Sequence, residues 1–192
     1  MSTIHEYLAA RWSPRAFAAA PVEHDQLRTL FEAARWAPSC YNDQPWRFVL
    51  ARRGRDEAYG KLLQCLVPAN QAWAATAPIL ILVVAAKTFR HNGQSNRYAW
   101  YDAGQAVANL LCQATVLGLM AHQMAGFDPV RAHADLGLPD AFDAVAVMAL
   151  GYHGEPSMLP AGVAEKSPEQ RERLPQSEIV FAGGWGRPFA DI

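Results

Sequence analysis

Apolar positions divide most of the chain into helical and extended stretches. Over residues 24–37, Leu27, Leu30, Phe31, Ala34 and Trp36 recur at roughly helical spacing, with Pro21 ahead of the run and Pro38 ending it. Residues 1–12 read as a shorter helix stopped by Ser13-Pro14. Residues 46–51 predict a strand, and residues 56–66 a charged helix. The clearest strand is 79–86, an unbroken run of β-branched and other apolar residues expected to be buried on both faces, with a helical lead-in from residue 72. Residues 99–117 predict the longest helix, because Ala103, Ala106, Val107, Leu110, Leu111, Ala114 and Leu117 recur at three- and four-residue steps. Much of its remaining surface is small or apolar as well, which implies burial nearly all round, either as a central helix shared with a partner subunit or as a core helix in a monomer, and Gly118 closes it. Strands are expected at 119–124 and 144–150, with a short helix at 129–136 between them. Helices alternating with strands predict an α+β domain with helices packed on a sheet.

Composition adds bounds rather than function. The 192 residues suffice for one domain with a substantial core, and 51% hydrophobic against 18% charged residues is a globular balance. From about residue 154 the chain turns to Pro, Gly, Ser, Glu and Arg, so the expected organisation is a single domain over 1–192 that ends in an extended C-terminal segment. A formal net charge of -1 gives no general affinity for nucleic acid. Cys40, Cys65 and Cys112 lack metal-ligand spacing and suit a reducing compartment. His91, His122, His133 and His153 are too far apart for a local metal motif. The longest apolar run, 72–86, is broken by Thr76 and Pro78 and falls short of the ~20 residues of a membrane span. No signal peptide is expected from a start that carries His5, Glu6, Arg11 and Arg15. The expected location is cytoplasmic.

Two constellations could carry chemistry. In Arg11-Trp12-Ser13-Pro14-Arg15 the residue before proline is held out of helical geometry, and alternate side chains of an extended chain point the same way. Arg11, Ser13 and Arg15 could then face one ligand, as could Arg171 and Arg173 in Arg171-Glu172-Arg173-Leu174-Pro175. Guanidinium forks match phosphate geometry, although taken alone each segment also fits a solvated turn. The second constellation is Pro38-Ser39-Cys40-Tyr41-Asn42-Asp43-Gln44-Pro45-Trp46. Its amides could read the edge of a heterocycle or merely satisfy a helix-to-strand connection. No Gly-x-Gly-x-x-Gly follows a strand, so a Rossmann dinucleotide site is not supported.

Taken in order, these motifs resemble the nitroreductase family of FMN-dependent oxidoreductases. Arg11-x-Ser13-x-Arg15-x-Phe17 and Ala37-Pro38-Ser39-x-x-Asn42-x-Gln44-Pro45-Trp46 carry the likeness first. It continues through Asn70-Gln71-Ala72-Trp73, Asp102-Ala103-Gly104-Gln105-Ala106, Gly126-Phe127-Asp128, Leu150-Gly151-Tyr152 and Arg173-Leu174-Pro175. The resemblance implies a central, mostly antiparallel sheet flanked by helices, in an intertwined homodimer with flavin sites at the interface. It implies FMN as cofactor and NAD(P)H as co-substrate, reducing small electron-poor acceptors such as nitroaromatics, quinones or enones by ping-pong hydride transfer. Arg11, Trp12, Ser13, Arg15, Arg171 and Arg173 would hold the FMN phosphate. Pro38, Ser39, Cys40, Asn42 and Gln44 would reach a flavin bound mainly by the other subunit. Asn70 would meet the isoalloxazine edge, and Met124, Ala125 and Gly126 would lie against the flavin. No catalytic side chain and no metal are implied. Cys40, Trp73 and Ala125 depart from residues common in the family. A flavin carrier without turnover, or a branch with other flavin chemistry such as dehalogenation or flavin breakdown, fits the same motifs.

Overall fold

Every residue of β2 (Ile79–Ala86) is buried, because the strand lies inside a sheet covered on both faces. The computed structural model describes residues 4–165 and 167–189. Within them β1 (Trp46–Arg52), β2, β3 (Met120–Met124) and β4 (Phe142–Gly151) form a four-stranded sheet in the order β1-β2-β4-β3. All three pairings are antiparallel, with one irregularity in register at Val83/Val84.

Strand alternation sorts the core into two layers. Ile79, Ile81, Val83 and Ala85 pack with α2 (His24–Arg35) and α5 (Ala99–Val116). Leu80, Leu82 and Val84 pack on the other face, where α3 (Glu57–Cys65), α4 (Pro68–Ala74) and α6 (Pro129–Asp135) contribute Leu62, Trp73 and Ala132. α2 starts at a reciprocal cap between Glu23 and Gln26, and α6 at Asp128, whose carboxylate accepts from the Val130 and Arg131 amides.

The pattern-based strands and helices are present with small shifts of their ends, and two expectations need correction. The first helix is only α1 (Glu6–Ala10), ending at an extended Arg11; residues 1–3 of the expected range lie outside the described residues. α4 begins at Pro68, ahead of the expected lead-in, because proline suits the first helical turn. α5 is covered on one side in the single chain. Asp102, Ala103, Ala106, Leu110 and Ala114 face the core, while Trp100, Tyr101, Gly104, Ala108 and Val116 are exposed. Small side chains fit a crowded interior and an uncovered face equally well, so composition could not separate the two.

Beyond β4 the chain meets its own beginning. Phe17 and His153 form an antiparallel bridge, the Ala18 amide donates to the Tyr152 carbonyl at 3.0 Å, and the Gly154 amide donates to the Ala16 carbonyl at 3.0 Å. The approach is so close that a Cβ on Gly154 would lie 2.6 Å from the Phe17 carbonyl carbon and 2.7 Å from the Ala18 nitrogen. Neither backbone atom can swing aside as a flexible side chain could. Gly154→Ala should therefore lower stability by about 1–3 kcal/mol, read as a lower urea midpoint; an unchanged midpoint would mean the two segments separate without cost.

Candidate functional site

Because residues 16–18 run beside the end of β4, the two arginine segments come from opposite ends of the chain to one place. Arg171 reaches back and donates to the carbonyls of Arg11 and Ala9, the latter at 2.8 Å. Arg11 donates to the Ser13 hydroxyl at 3.4 Å. Arg171 and Arg173 both sit close enough to push the Arg11 guanidinium below its usual pKa, after the larger effect of its own burial. Arg11, Ser13, Arg171 and Arg173 thus assemble as the sequence suggests.

Arg15 turns away from Arg11, and the Trp12 ring turns inward, which leaves Trp12 only its backbone for a ligand. The Arg15 guanidinium donates to the Ala164 carbonyl at 3.0 Å, so alternation along the extended segment does not aim it with Arg11. The Trp12 ring is buried, edge-on to His153 at 5.1 Å between centroids. Arg171 has also spent donors on the chain itself, since its Nε bonds the Pro168 carbonyl at 2.7 Å.

A second locus joins α4 to the turn after β3. The Gly126 carbonyl accepts from the Val67 amide at 3.0 Å and from Asn70 Nδ2 at 3.1 Å. A Cβ on Gly126 would lie 2.9 Å from Asn70 Nδ2 and 3.0 Å from Val67 Cγ2. Asn70 and Gly126 are therefore one unit, and only glycine fits there without displacing the amide. Met124 is buried beneath this turn, whereas Ala125 is exposed. Trp73 is fully enclosed, stacked between Phe17 at 6.3 Å and His122 at 4.4 Å, so it serves the core rather than a ligand.

The amide-rich loop is the third locus. Tyr41, Asn42 and Gln44 all have positive φ, at 53°, 53° and 52°. For residues with a Cβ this geometry costs on the order of 1–3 kcal/mol each and persists only where the surroundings impose it. They are imposed here by several bonds. The Cys40 amide donates to Asp102 Oδ2 at 3.0 Å, the Gln44 amide to the Ser39 hydroxyl at 3.0 Å, and the Arg90 amide to Asp43 Oδ1 at 2.8 Å. Gln44 Nε2 also donates to Asn42 Oδ1 at 3.1 Å. Asp43 Oδ2 and Asn96 Nδ2 are buried without hydrogen-bond partners, and desolvation raises the Asp102 carboxyl above its usual pKa. Pro38 is exposed, and Ser39 and Cys40 are half-buried. The loop's bonds run to α5 and to Arg90, not to the arginine segments, so this chain alone does not bring loop and arginines together.

Sequence reasoning missed His122 and Glu165, whose roles depend on contacts far along the chain. The Glu165 carboxylate accepts from the amides of Arg15, at 2.9 and 3.0 Å, and Ala16, at 2.7 Å. His122 Nδ1 lies 2.9 Å from the Pro14 carbonyl, which requires its proton on that nitrogen. A groove of about 650 Å³ between α1, α2 and α5, lined by Tyr7, Leu8, Trp36 and Cys112 among others, includes none of the expected site residues. No group of three or more metal-ligating side chains occurs among the described residues, and no helix there is long and apolar enough to cross a membrane.

Burial outweighs the Pro14 bond and holds the His122 imidazole below its ordinary 6.5; nearby Arg15 lowers it further and Glu165 raises it. With a depressed folded value, the unfolded chain binds the proton more readily, so this contribution is full above about pH 6.5 and is lost as pH falls through the folded value. His122→Asn, which can still donate to Pro14, should flatten the fall in urea midpoint below about pH 6.5. Parallel profiles for the two proteins would exclude His122 as the source.

Comparison with known proteins identifies the family. A sequence model described as the nitroreductase family matches residues 8–152. An uncharacterised 15.4 kDa protein in the ask 5' region of Mycolicibacterium smegmatis is 39% identical over 150 residues, covering 74% of this chain and 99% of that protein. An NADH dehydrogenase of Thermus thermophilus is 32% identical over 177 residues, covering 76% of this chain and 84% of the relative. The crystal structure of an oxidoreductase containing FMN superposes with a TM-score of 0.87 at 34% identity, covering 97% of this chain and 94% of the other. With match, relatives and fold in agreement, the chain belongs to the nitroreductase family.

Proposed function

We propose that this protein is an FMN-dependent oxidoreductase that uses NAD(P)H to reduce small electron-poor acceptors such as nitroaromatics, quinones or enones. The observation that carries the reading is the convergence of Arg11, Arg171 and Arg173 beside the Ser13 hydroxyl, from segments 160 residues apart. Like charges gathered this way repel one another, and a phosphate supplies the compensating anion. The Asn70–Gly126 unit supports it, being a stretch of backbone without a side chain where a flat ring system could lie close. The similar structure bearing FMN supports it further.

When bound, FMN would supply the hydride chemistry. The chain's own residues hold and orient: Arg11, Ser13 and Arg173 take the phosphate, while Arg171 and Arg15 brace the two segments that carry them. Asn70 fixes the Gly126 carbonyl and leaves its own amide oxygen for the ring edge. Met124 and Ala125 set the depth of that surface. The strained loop of Pro38, Ser39, Cys40, Asn42 and Gln44 reaches toward the flavin of a second copy, since its own hydrogen bonds run elsewhere. The reading includes one domain over 1–192, whose C-terminal segment embraces the partner. Along that segment Leu174, Ile179, Trp185 and Phe189 are exposed in the single chain, a run of apolar surface that a partner would cover.

The first test is spectral. The purified protein should be yellow, bleach under anaerobic NADH or NADPH, and regain colour with a quinone or nitroarene. A colourless protein that takes up no added FMN would sink the reading, and a flavin that stays oxidised would leave only a carrier. Replacing Arg11 and Arg173 together by alanine should cost roughly 1.5–3 kcal/mol for each charged hydrogen bond lost, seen as loss of FMN in a fluorescence titration. The dimer has its own test at Gly104, whose Cβ would meet nothing within 4 Å in the single chain. On a solvated helix Gly104→Ala would stabilise by about 1 kcal/mol. Against a closely packed partner it should promote monomers in sedimentation, and a stabilised, unchanged assembly would place the interface elsewhere.

A further inference from the structure

We infer that Glu165 is a positioning residue for the phosphate end of the flavin, an inference that rests on the FMN reading above. Its side chain is only 9% exposed, a costly place for a carboxylate unless donors surround it. Donors do surround it. Both oxygens are held by the consecutive amides of Arg15 and Ala16, and His153 Nε2 stands 3.8 Å away. The neighbouring Ala164 carbonyl receives the Arg15 guanidinium, so the same short stretch is fastened from both sides. A segment bearing Arg11, Ser13 and Arg15 is thus bolted to a segment that carries Arg171 and Arg173 a few residues further on.

The bolt has a task that packing alone does not perform. Arg171 and Arg173 lie close enough to disfavour the charge on Arg11, so like charges gathered here repel until an anion arrives. Residues 171–180 are exposed in the single chain, so within one protomer the segment is held by polar contacts and not by buried side chains. Two kinds of contact oppose the repulsion: the bonds from Arg171 to the Ala9 and Arg11 carbonyls, and the Glu165 carboxylate on the Arg15 and Ala16 amides. The turn between them is itself pinned, because Ser167 and Gln170 cap the 3-10 turn Pro168–Gln170 reciprocally. Glu165 therefore sets the spacing of the guanidinium groups before the ligand binds, and binding is spared the cost of ordering them. It touches no ligand itself.

Its contribution falls on the phosphate and not on the ring, which gives a readout that a merely structural role would not move. Flavin fluorescence titrations of the apoprotein with FMN and with riboflavin, which lacks the phosphate, separate the two. The full-length protein should prefer FMN, and Glu165→Gln should weaken FMN by roughly tenfold or more while leaving riboflavin within about twofold, the size of one lost charged hydrogen bond. Should the glutamine variant not accumulate, Glu165→Asp, which keeps the charge on a side chain one methylene shorter, is read the same way. Equal weakening of both flavins, or an unchanged preference for FMN, overturns the positioning role alone. A wild-type protein that shows no preference for FMN overturns the cofactor reading and this inference with it.

Discussion

The backbone of residues 14–18 is the part on which the remaining geometry depends. Its polar groups are claimed by three separate regions: the Pro14 carbonyl by His122 on β3, the Arg15 and Ala16 amides by Glu165, and the Ala16 carbonyl and Ala18 amide by Gly154 and Tyr152 at the end of β4. Buried backbone groups must find partners, and this segment finds them only if strand β3, the end of β4 and the C-terminal segment all converge on it. The convergence also explains the aromatic stack beneath. Phe17 of the segment packs on the Trp73 ring, which in turn meets His122 of β3. A short stretch without regular secondary structure is thereby held as rigidly as a strand.

How much of this was legible in sequence differs by level. Strand β2 announced itself because a fully covered strand needs no polar side chain, and α2 because its apolar stripe keeps helical period between two prolines. The family likeness was legible because its motifs are local and fall in order. Contacts between distant residues were not. Glu165 lies in a tract of charged and small residues where one more carboxylate carries no signal, and its burial is decided by amides 150 positions away. Arg15 looked equivalent to Arg11 by spacing, yet the Ala164 carbonyl claims it. The exposed face of α5 was hidden for a different reason: Gly and Ala satisfy a solvated helix, a crowded core and a subunit contact alike.

The loop of residues 38–46 shows how strain and anchorage go together. Its positive-φ residues would relax in an isolated peptide. Anchors before and among the strained positions prevent this, with Asp102 of α5 holding Cys40 and Asp43 holding Arg90. Both anchoring carboxylates are buried, and the raised Asp102 pKa records what that burial costs. Such expense is hard to explain as mere connection between α2 and β1, for which an unstrained turn would suffice. It is intelligible if the loop must present its amides at a fixed height to something outside its own chain.

The arginines divide the work in a way their spacing conceals. Arg171 turns its donors onto the carbonyls of Ala9, Arg11 and Pro168, and Arg15 spends its guanidinium on Ala164. Those two behave as ties between segments. Arg11 and Arg173 keep more of their donor capacity: Arg11 bonds the Ser13 hydroxyl at 3.4 Å, and Arg173 bonds the carbonyl of adjacent Glu172. Those weaker or purely local bonds are ones a phosphate could displace without loosening the fold. The guanidinium groups of Arg15 and Arg171 thus rest on backbone carbonyls, while the Glu165 carboxylate takes the Arg15 and Ala16 amides. Under the proposed reading, the guanidinium groups left for a phosphate are those of Arg11 and Arg173, chosen by which arginines the backbone has already engaged.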